Sequence, residues 1–228
     1  MKHQTRHDIS DGLGQPAPRR AFLRSFGALS LATVLGGCEV GGLLPGQGPP
    51  PRLFRLSPKS TFGDNLPEVD WQLVVEEPKS PTGLNTTRLP LHRRAMELEY
   101  YARANWTDRA PAMVHTLVLE SFENSGRIIA VGRESLGLRS DFVLKLDLRE
   151  FQTEYTRDGQ PDAHVQINAK LVQMPQRTII GSRRFTARVS AKADNLEEIV
   201  AAFDDALGKV LKKLVGWTLT SGQKAVDG

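Results

Sequence analysis

Residues 141–151 read Asp-Phe-Val-Leu-Lys-Leu-Asp-Leu-Arg-Glu-Phe, with Phe142, Leu144, Leu146 and Leu148 alternating with Val143, Lys145, Asp147 and Arg149. Successive side chains of a strand point to opposite faces, so a period of two describes a strand with one face in a core and the other toward water. The pattern recurs at Ala163, Val165, Ile167, Ala169 and Leu171. After the turn Met174-Pro175-Gln176-Arg177 it returns at Ile179, Gly181, Arg183, Phe185, Ala187 and Val189. Three such runs joined by short turns predict an antiparallel meander.

Downstream, Asp194 followed three residues later by Glu197 has the form of a capping box. Leu196, Ile199, Val200, Phe203, Leu207, Val210, Leu211 and Leu214 then form a continuous apolar stripe at helical spacing. Trp217 is expected to close that helix and residues 220–228 to form a flexible tail. Upstream, extended pieces are expected at Leu53–Leu56, Trp71–Val75, Thr87–Leu91, Met96–Tyr101 and Ile128–Val131. An earlier helix has Asp108 as N-cap, Pro111 in its first turn, Met113, Val114, Leu117, Val118 and Phe122 on one stripe, and Gly126 as stop. The expected fold class is therefore α+β, a mainly antiparallel sheet with two principal helices on one face. The opposite face, carrying His164, Gln166, Asn168 and Lys170 on one strand and Lys145, Asp147 and Arg149 on another, would be polar and meet either water or a partner.

Of the 228 residues, 39% are apolar and only one is cysteine. One cysteine excludes an intramolecular disulfide, a cysteine-rich zinc site and a CxxC redox pair. It stands at position 38, behind an export leader: Lys2, Arg6, Arg19, Arg20 and Arg24 precede the uncharged apolar run Phe26–Leu35. A run from Ser25 to Gly37 is too short for a bilayer helix, which needs about 20 residues, and has the flanks of a signal peptide. Leu35-Gly36-Gly37-Cys38 resembles a lipoprotein signal-peptidase site, in which small residues permit close approach to the backbone, the leucine anchors in an apolar pocket and the thiol takes a diacylglycerol. A further amide-linked chain, commonly palmitate, gives the two or more chains that stable anchoring requires. Arg19-Arg20-Ala21-Phe22-Leu23-Arg24 resembles the twin-arginine export signal, with Pro18 where Ser or Thr is preferred; an ordinary basic leader for the general secretory channel is the alternative. Both routes end outside the cytoplasm.

From Cys38 to Arg52 the chain carries four prolines and four glycines, cannot nucleate helix or ladder, and reads as a tether. At about 3 Å per residue it reaches up to 40 Å from a lipid surface. The expected organisation is a signal peptide over 1–37, a lipidated tether over 38–52, one folded domain over 53–219 and a tail over 220–228.

Within the mature chain no phosphate-binding loop, GxGxxG, HExxH, GxSxG or SxxK motif occurs, so the chain reads as no enzyme. His92, His115 and His164 fall on separate elements without ligand spacing, which predicts neither a metal site nor a cofactor other than the lipid on Cys38. Asp204-Asp205 reads as a solvated helix face.

Taken in order, the lipobox cysteine, the proline-rich tether, Phe54-Arg55-Leu56, Leu84-Asn85-Thr86-Thr87-Arg88-Leu89, Tyr100-Tyr101 then Trp106, the run Phe142 to Phe151, and a last helix ending near Trp217-Thr218-Leu219 resemble the ABC-type transport auxiliary lipoprotein family. The likeness spans about Leu53 to Leu219, and Phe54 stands where the family commonly has tyrosine. The resemblance implies a non-catalytic lipoprotein at the periplasmic face of the envelope. Its partners would be an MCE-domain protein and the associated ABC permease and ATPase, moving phospholipids or other lipids between inner and outer membranes, and it leaves room for homo-oligomeric rings. Glu39, where aspartate would favour inner-membrane retention, points to the outer membrane. The alternative function is a lipoprotein cofactor of a cell-wall synthase or an outer-membrane assembly machine.

The net charge of +4 fits the same division. Residues 1–37 hold five basic and two acidic residues, and without them 25 Lys+Arg face 24 Asp+Glu. The basic excess is an export address, so it predicts no nucleic-acid surface.

Overall fold

The three alternating runs form the backbone of the sheet. In the computed structural model, which describes residues 49–134 and 139–228, they are β6 (Phe142–Tyr155), β7 (Pro161–Gln173) and β8 (Thr178–Ser190), paired antiparallel as a meander. The export and lipidation residues Arg19, Arg20, Phe22, Leu23, Leu35, Gly36, Gly37 and Cys38 lie outside the described residues.

The remaining strands are β1 (Arg52–Phe54), β2 (Val69–Val75), β3 (Arg88–Arg94), β4 (Glu97–Trp106) and β5 (Ile128–Arg133). All eight join one sheet, but it is mixed rather than mainly antiparallel: four of its seven strand pairings, β1 with β4, β2 with β5, β2 with β6 and β3 with β6, are parallel. The cause is the length of β6. Strand β7 takes one whole edge, while the other is shared, Phe142–Leu144 by β2 and Thr153–Glu154 by β3. Between them the chain after β2 stays on that edge, with Lys79 N–H donating to Leu146 C=O at 2.9 Å and Lys79 C=O accepting from Leu148 N–H at 2.7 Å. Alternation reports which face is buried; it says nothing about a neighbour's direction, which the long connections set.

Helix α1 (Ala110–Ser125) ends where Gly126 turns left-handed at φ 61°, as expected of a glycine stop. Its N-cap is Arg109 rather than Asp108, whose carboxylate instead accepts the Arg109 N–H at 2.7 Å. Helix α2 (Leu196–Asp227) is capped by Asn195, whose side chain accepts from Glu198 N–H at 3.0 Å, one residue later than the Asp194 expected from sequence. It continues past Trp217 through the residues expected as a tail, giving 32 residues and a length of about 48 Å.

The core lies between this sheet and the helices. Trp106 of β4, Phe151 of β6 and Phe203 of α2 form a triangle with ring centroids 5.2–5.5 Å apart, all three fully buried. Trp71 meets Phe142 edge-on at 4.8 Å, and Phe185 meets Trp217 at 5.6 Å. Of the predicted stripe, Ile199, Phe203, Leu207, Val210, Leu211 and Leu214 are buried, and Leu196 and Val200 are half-buried at its margin.

Candidate functional site

The sheet face opposite this core presents the groups available for recognition. Its form depends on one irregularity. Leu148 pairs with Ile167 and Glu150 with Gln166, so Arg149 is an extra residue on β6. This bulge resets the alternation. Phe151 turns into the core while Glu150, Gln152 and Glu154 continue along the open face beside His164 of β7 and Arg188 of β8.

These side chains complete one another. The Glu154 carboxylate takes His164 Nδ1 at 2.7 Å, Gln152 Nε2 at 3.0 Å and the Arg188 guanidinium. His164 Nε2 meets Thr186 Oγ1 at 3.2 Å. The same Gln152 amide donates to Glu150 at 2.6 Å, and its oxygen accepts the Phe151 N–H at 2.7 Å. Gln152 is 2% exposed and His164 7%. Partial burial pushes Glu154 up, but the Arg188 and His164 bonds outweigh it and hold its carboxyl below the ordinary glutamate range. Glu150, Glu154 and His164 bring ligand-type atoms within 4.8 Å of one another, a juxtaposition that residue spacing did not predict. Gln152 and Arg188 already donate to those carboxylates, so the cluster's geometry is that of an internal charge network.

Beside it, a cavity of about 390 Å³ lies between this network and the β3–β4 turn, lined by Arg93, Arg94, Ala95, Glu150 and Tyr155 among others. Arg93 stacks on the Tyr155 ring at 4.4 Å, and Tyr155 OH donates to Asp194 at 2.7 Å while meeting Tyr101 OH at 3.1 Å. Burial raises both phenols above their ordinary values, so they act as neutral hydrogen-bonding groups. At the other end of the face Val74, Val143, Val172, Met174 and Ile179 line a groove of about 380 Å³, with Glu76 ion-paired to Lys145 at its rim. The open face expected to be polar is therefore polar at one end, and at the other it mixes these apolar side chains with Glu134, Ser140 and Arg177 beside the Glu76–Lys145 pair.

The other singled-out residues have structural roles. His115 Nε2 lies 2.8 Å from Val75 C=O and its Nδ1 lies 3.3 Å from Arg133. A carbonyl only accepts and a guanidinium only donates, so the ring is neutral with its proton on Nε2; burial lowers its pKa in the same sense. Asp204, read as solvated surface, accepts Ser57 N–H at 2.6 Å and ties the entering chain to α2, whereas Asp205 pairs with Lys209 one turn on. His92 lines the cavity by the β3–β4 turn.

A family model described as the ABC-type transport auxiliary lipoprotein component matches residues 55–215. The crystal structure of protein XCC0632 from Xanthomonas campestris, assigned to DUF330, superposes with a TM-score of 0.75 at 32% identity, covering 78% of this chain and 99% of that one. A second solved structure, of an uncharacterized protein, covers 78% of this chain and 99% of its own at a TM-score of 0.55 and 16% identity, and shares the fold. The uncharacterized protein bll6063 of Bradyrhizobium diazoefficiens is 28% identical over 190 residues, 82% of this chain. The chain spans about half the length of that relative, 49%.

Proposed function

The chain belongs to the family of ABC-type transport auxiliary lipoprotein components, and from that premise we propose that it is a non-catalytic envelope lipoprotein serving an MCE-type ABC transport system that moves phospholipids or other lipids between the inner and outer membranes. The observation that carries this reading is the family match, which spans β2 to β8 and the apolar stripe of α2 from Leu196 to Leu214. In this reading the leader at Arg19-Arg20 exports the chain, Leu35-Gly36-Gly37 delivers Cys38 for diacylglycerol transfer, and the glycine- and proline-rich tether lets the domain stand off the outer membrane.

The domain itself supports a presenting role. A buried triangle of aromatics and a long helix make a rigid support, and Glu150, Gln152, Glu154, His164 and Arg188 at one end of the open face are hydrogen-bonded into one network. Such a face is pre-ordered for recognition, since its side chains lose little freedom on contact. Among the described residues no helix is long and apolar enough to cross a membrane, so on this reading attachment falls to the lipid.

Deletion of the gene tests the proposal. Loss of outer-membrane lipid asymmetry, restored by the wild-type chain and not by Cys38→Ala, is the expected result. Normal asymmetry together with cell-wall defects would contradict it.

A further inference from the structure

Strand β8 pairs with β7 on one side only. One extra residue, Ile180, interrupts its start, and from Gly181 to Ser190 the strand runs on in unbroken register with its outer edge unpaired among the described residues. Edge strands in natural proteins are usually short, bulged along their length or covered, because a regular free edge offers a row of backbone donors and acceptors to any extended chain. Here helix α2 packs against β8, burying Phe185 on Trp217, yet the backbone edge stays open.

The charge along this edge is one-sided. From Arg177 to Lys192 the sequence carries Arg177, Arg183, Arg184, Arg188 and Lys192 and no carboxylate, whereas residues 38–228 as a whole hold 25 Lys+Arg against 24 Asp+Glu. Arg188 is neutralised by Glu154, but among the described residues Arg183 and Arg184 pair with no carboxylate. Arg184 lies opposite Asn168 on the open face, whereas Arg183 lies opposite Ala169 on the helix side, 5.7 Å from the Phe185 ring. Consecutive residues of a strand face opposite ways, so two adjacent carboxylates on an added strand would meet these two guanidinium groups, one on each face.

We propose that the outer edge of β8 is a docking strand for an acidic, extended polypeptide segment of a partner protein, held by backbone pairing along Gly181–Ser190 and selected by a pair of adjacent carboxylates against Arg183 and Arg184. The backbone supplies affinity and the two arginines supply selection. The inference stands on the edge itself and survives or falls apart from the lipid-transport reading.

Hydrogen exchange on the purified full chain tests it, with two synthetic probes: a peptide of Thr and Val flanking a central Glu-Glu pair, and the same peptide with Lys-Lys. The Glu-Glu peptide is expected to slow exchange of the amides within 181–190 about tenfold or more, with the effect weakening as salt rises, and the Lys-Lys peptide to leave them unchanged. The double variant Arg183→Glu, Arg184→Glu, checked for an unchanged melting temperature, should reverse that preference. Equal protection by both peptides, protection at another edge, or none, overturns the proposal. So does protection of the strand by phosphatidylglycerol vesicles in place of the peptide, which would make the edge a lipid contact, or protection that grows with protein concentration alone, which would make it a contact between copies.

Discussion

Gly222 of α2 lies so close under Trp71 of β2 that a Cβ on it would sit 2.5 Å from the indole ring. The contact joins the last turns of a long helix to the second strand of the sheet, and it explains why the chain stays helical beyond Trp217. Trp71 is 4% exposed and packs on Phe142, so it has nowhere to move.

Gly222→Ala is therefore expected to destabilise the domain. In an open helix the change would gain about 1 kcal/mol of propensity, but overpacking a core costs about 1–3 kcal/mol. Urea unfolding of the variant should show a lower midpoint with an unchanged slope; a higher midpoint would mean that Trp71 does not rest on this glycine.

Phe203→Ala removes one corner of the Trp106–Phe151–Phe203 triangle, and a loss of about 3–5 kcal/mol is expected for an aromatic of this burial. Chemical denaturation measures it directly. A loss below about 1 kcal/mol would show that the triangle is not the centre of the core.

Asn195→Ala should cost about 1 kcal/mol by leaving the Glu198 N–H without its acceptor. Asp194→Asn should leave the α2 cap intact and act instead on Tyr155, whose hydroxyl it would no longer hold as a charged acceptor. Thermal melts of the two variants, read with tyrosine fluorescence, separate the roles: the first should lower the melting temperature, the second should chiefly change the emission.

The depressed pKa of Glu154 sets a pH dependence. The unfolded chain takes up the proton near the ordinary value of 4.5, and the folded protein does so only at lower pH. The stability this carboxylate contributes is thus present above that value and lost as pH falls through the folded pKa. Between neutral pH and pH 4.5 and below, wild type should lose more stability than Glu154→Gln. Parallel pH profiles for the two proteins would show that the Arg188 and His164 contacts carry no such linkage.

Much of this was legible from residues, and the exceptions share a cause. Alternation at Phe142, Leu144, Leu146 and Leu148 and the stripe from Ile199 to Leu214 report burial, and burial is what the structure confirms there. What lay beyond reach was pairing between distant segments. That Leu73–Val75 of β2 runs parallel to Phe142–Leu144, making the sheet mixed, depends on connections and not on local pattern. The bulge at Arg149 leaves no mark in composition, yet it turns Phe151 inward and gathers Glu150, Gln152, Glu154 and His164. The sequence signal for that network was the Glu-x-Gln-x-Glu spacing at residues 150–154, which only the register with β7 makes meaningful. The cap moved from Asp194 to Asn195 because either side chain can cap, and Asp194 was engaged by Tyr155. Asp204 lies on the helix face read as solvated, and its additional bond to Ser57, 147 residues away, is one that local spacing does not show.

For the anchor, metabolic labelling with a palmitate analogue should mark the wild-type chain and not Cys38→Ala, which should accumulate as uncleaved precursor. Labelling that persists in the variant would place the lipid elsewhere. Replacing Arg19-Arg20 by two lysines should stop export by the twin-arginine route, since lysine keeps the charge without the paired guanidinium geometry.

The most direct measurement is affinity purification of the lipidated protein from gently solubilised envelopes, with identification of what comes with it. Stoichiometric recovery of an MCE-domain protein together with its permease and ATPase is the predicted result. Recovery of the intact, acylated protein without any of them, or with a cell-wall synthase in their place, would contradict the transport reading.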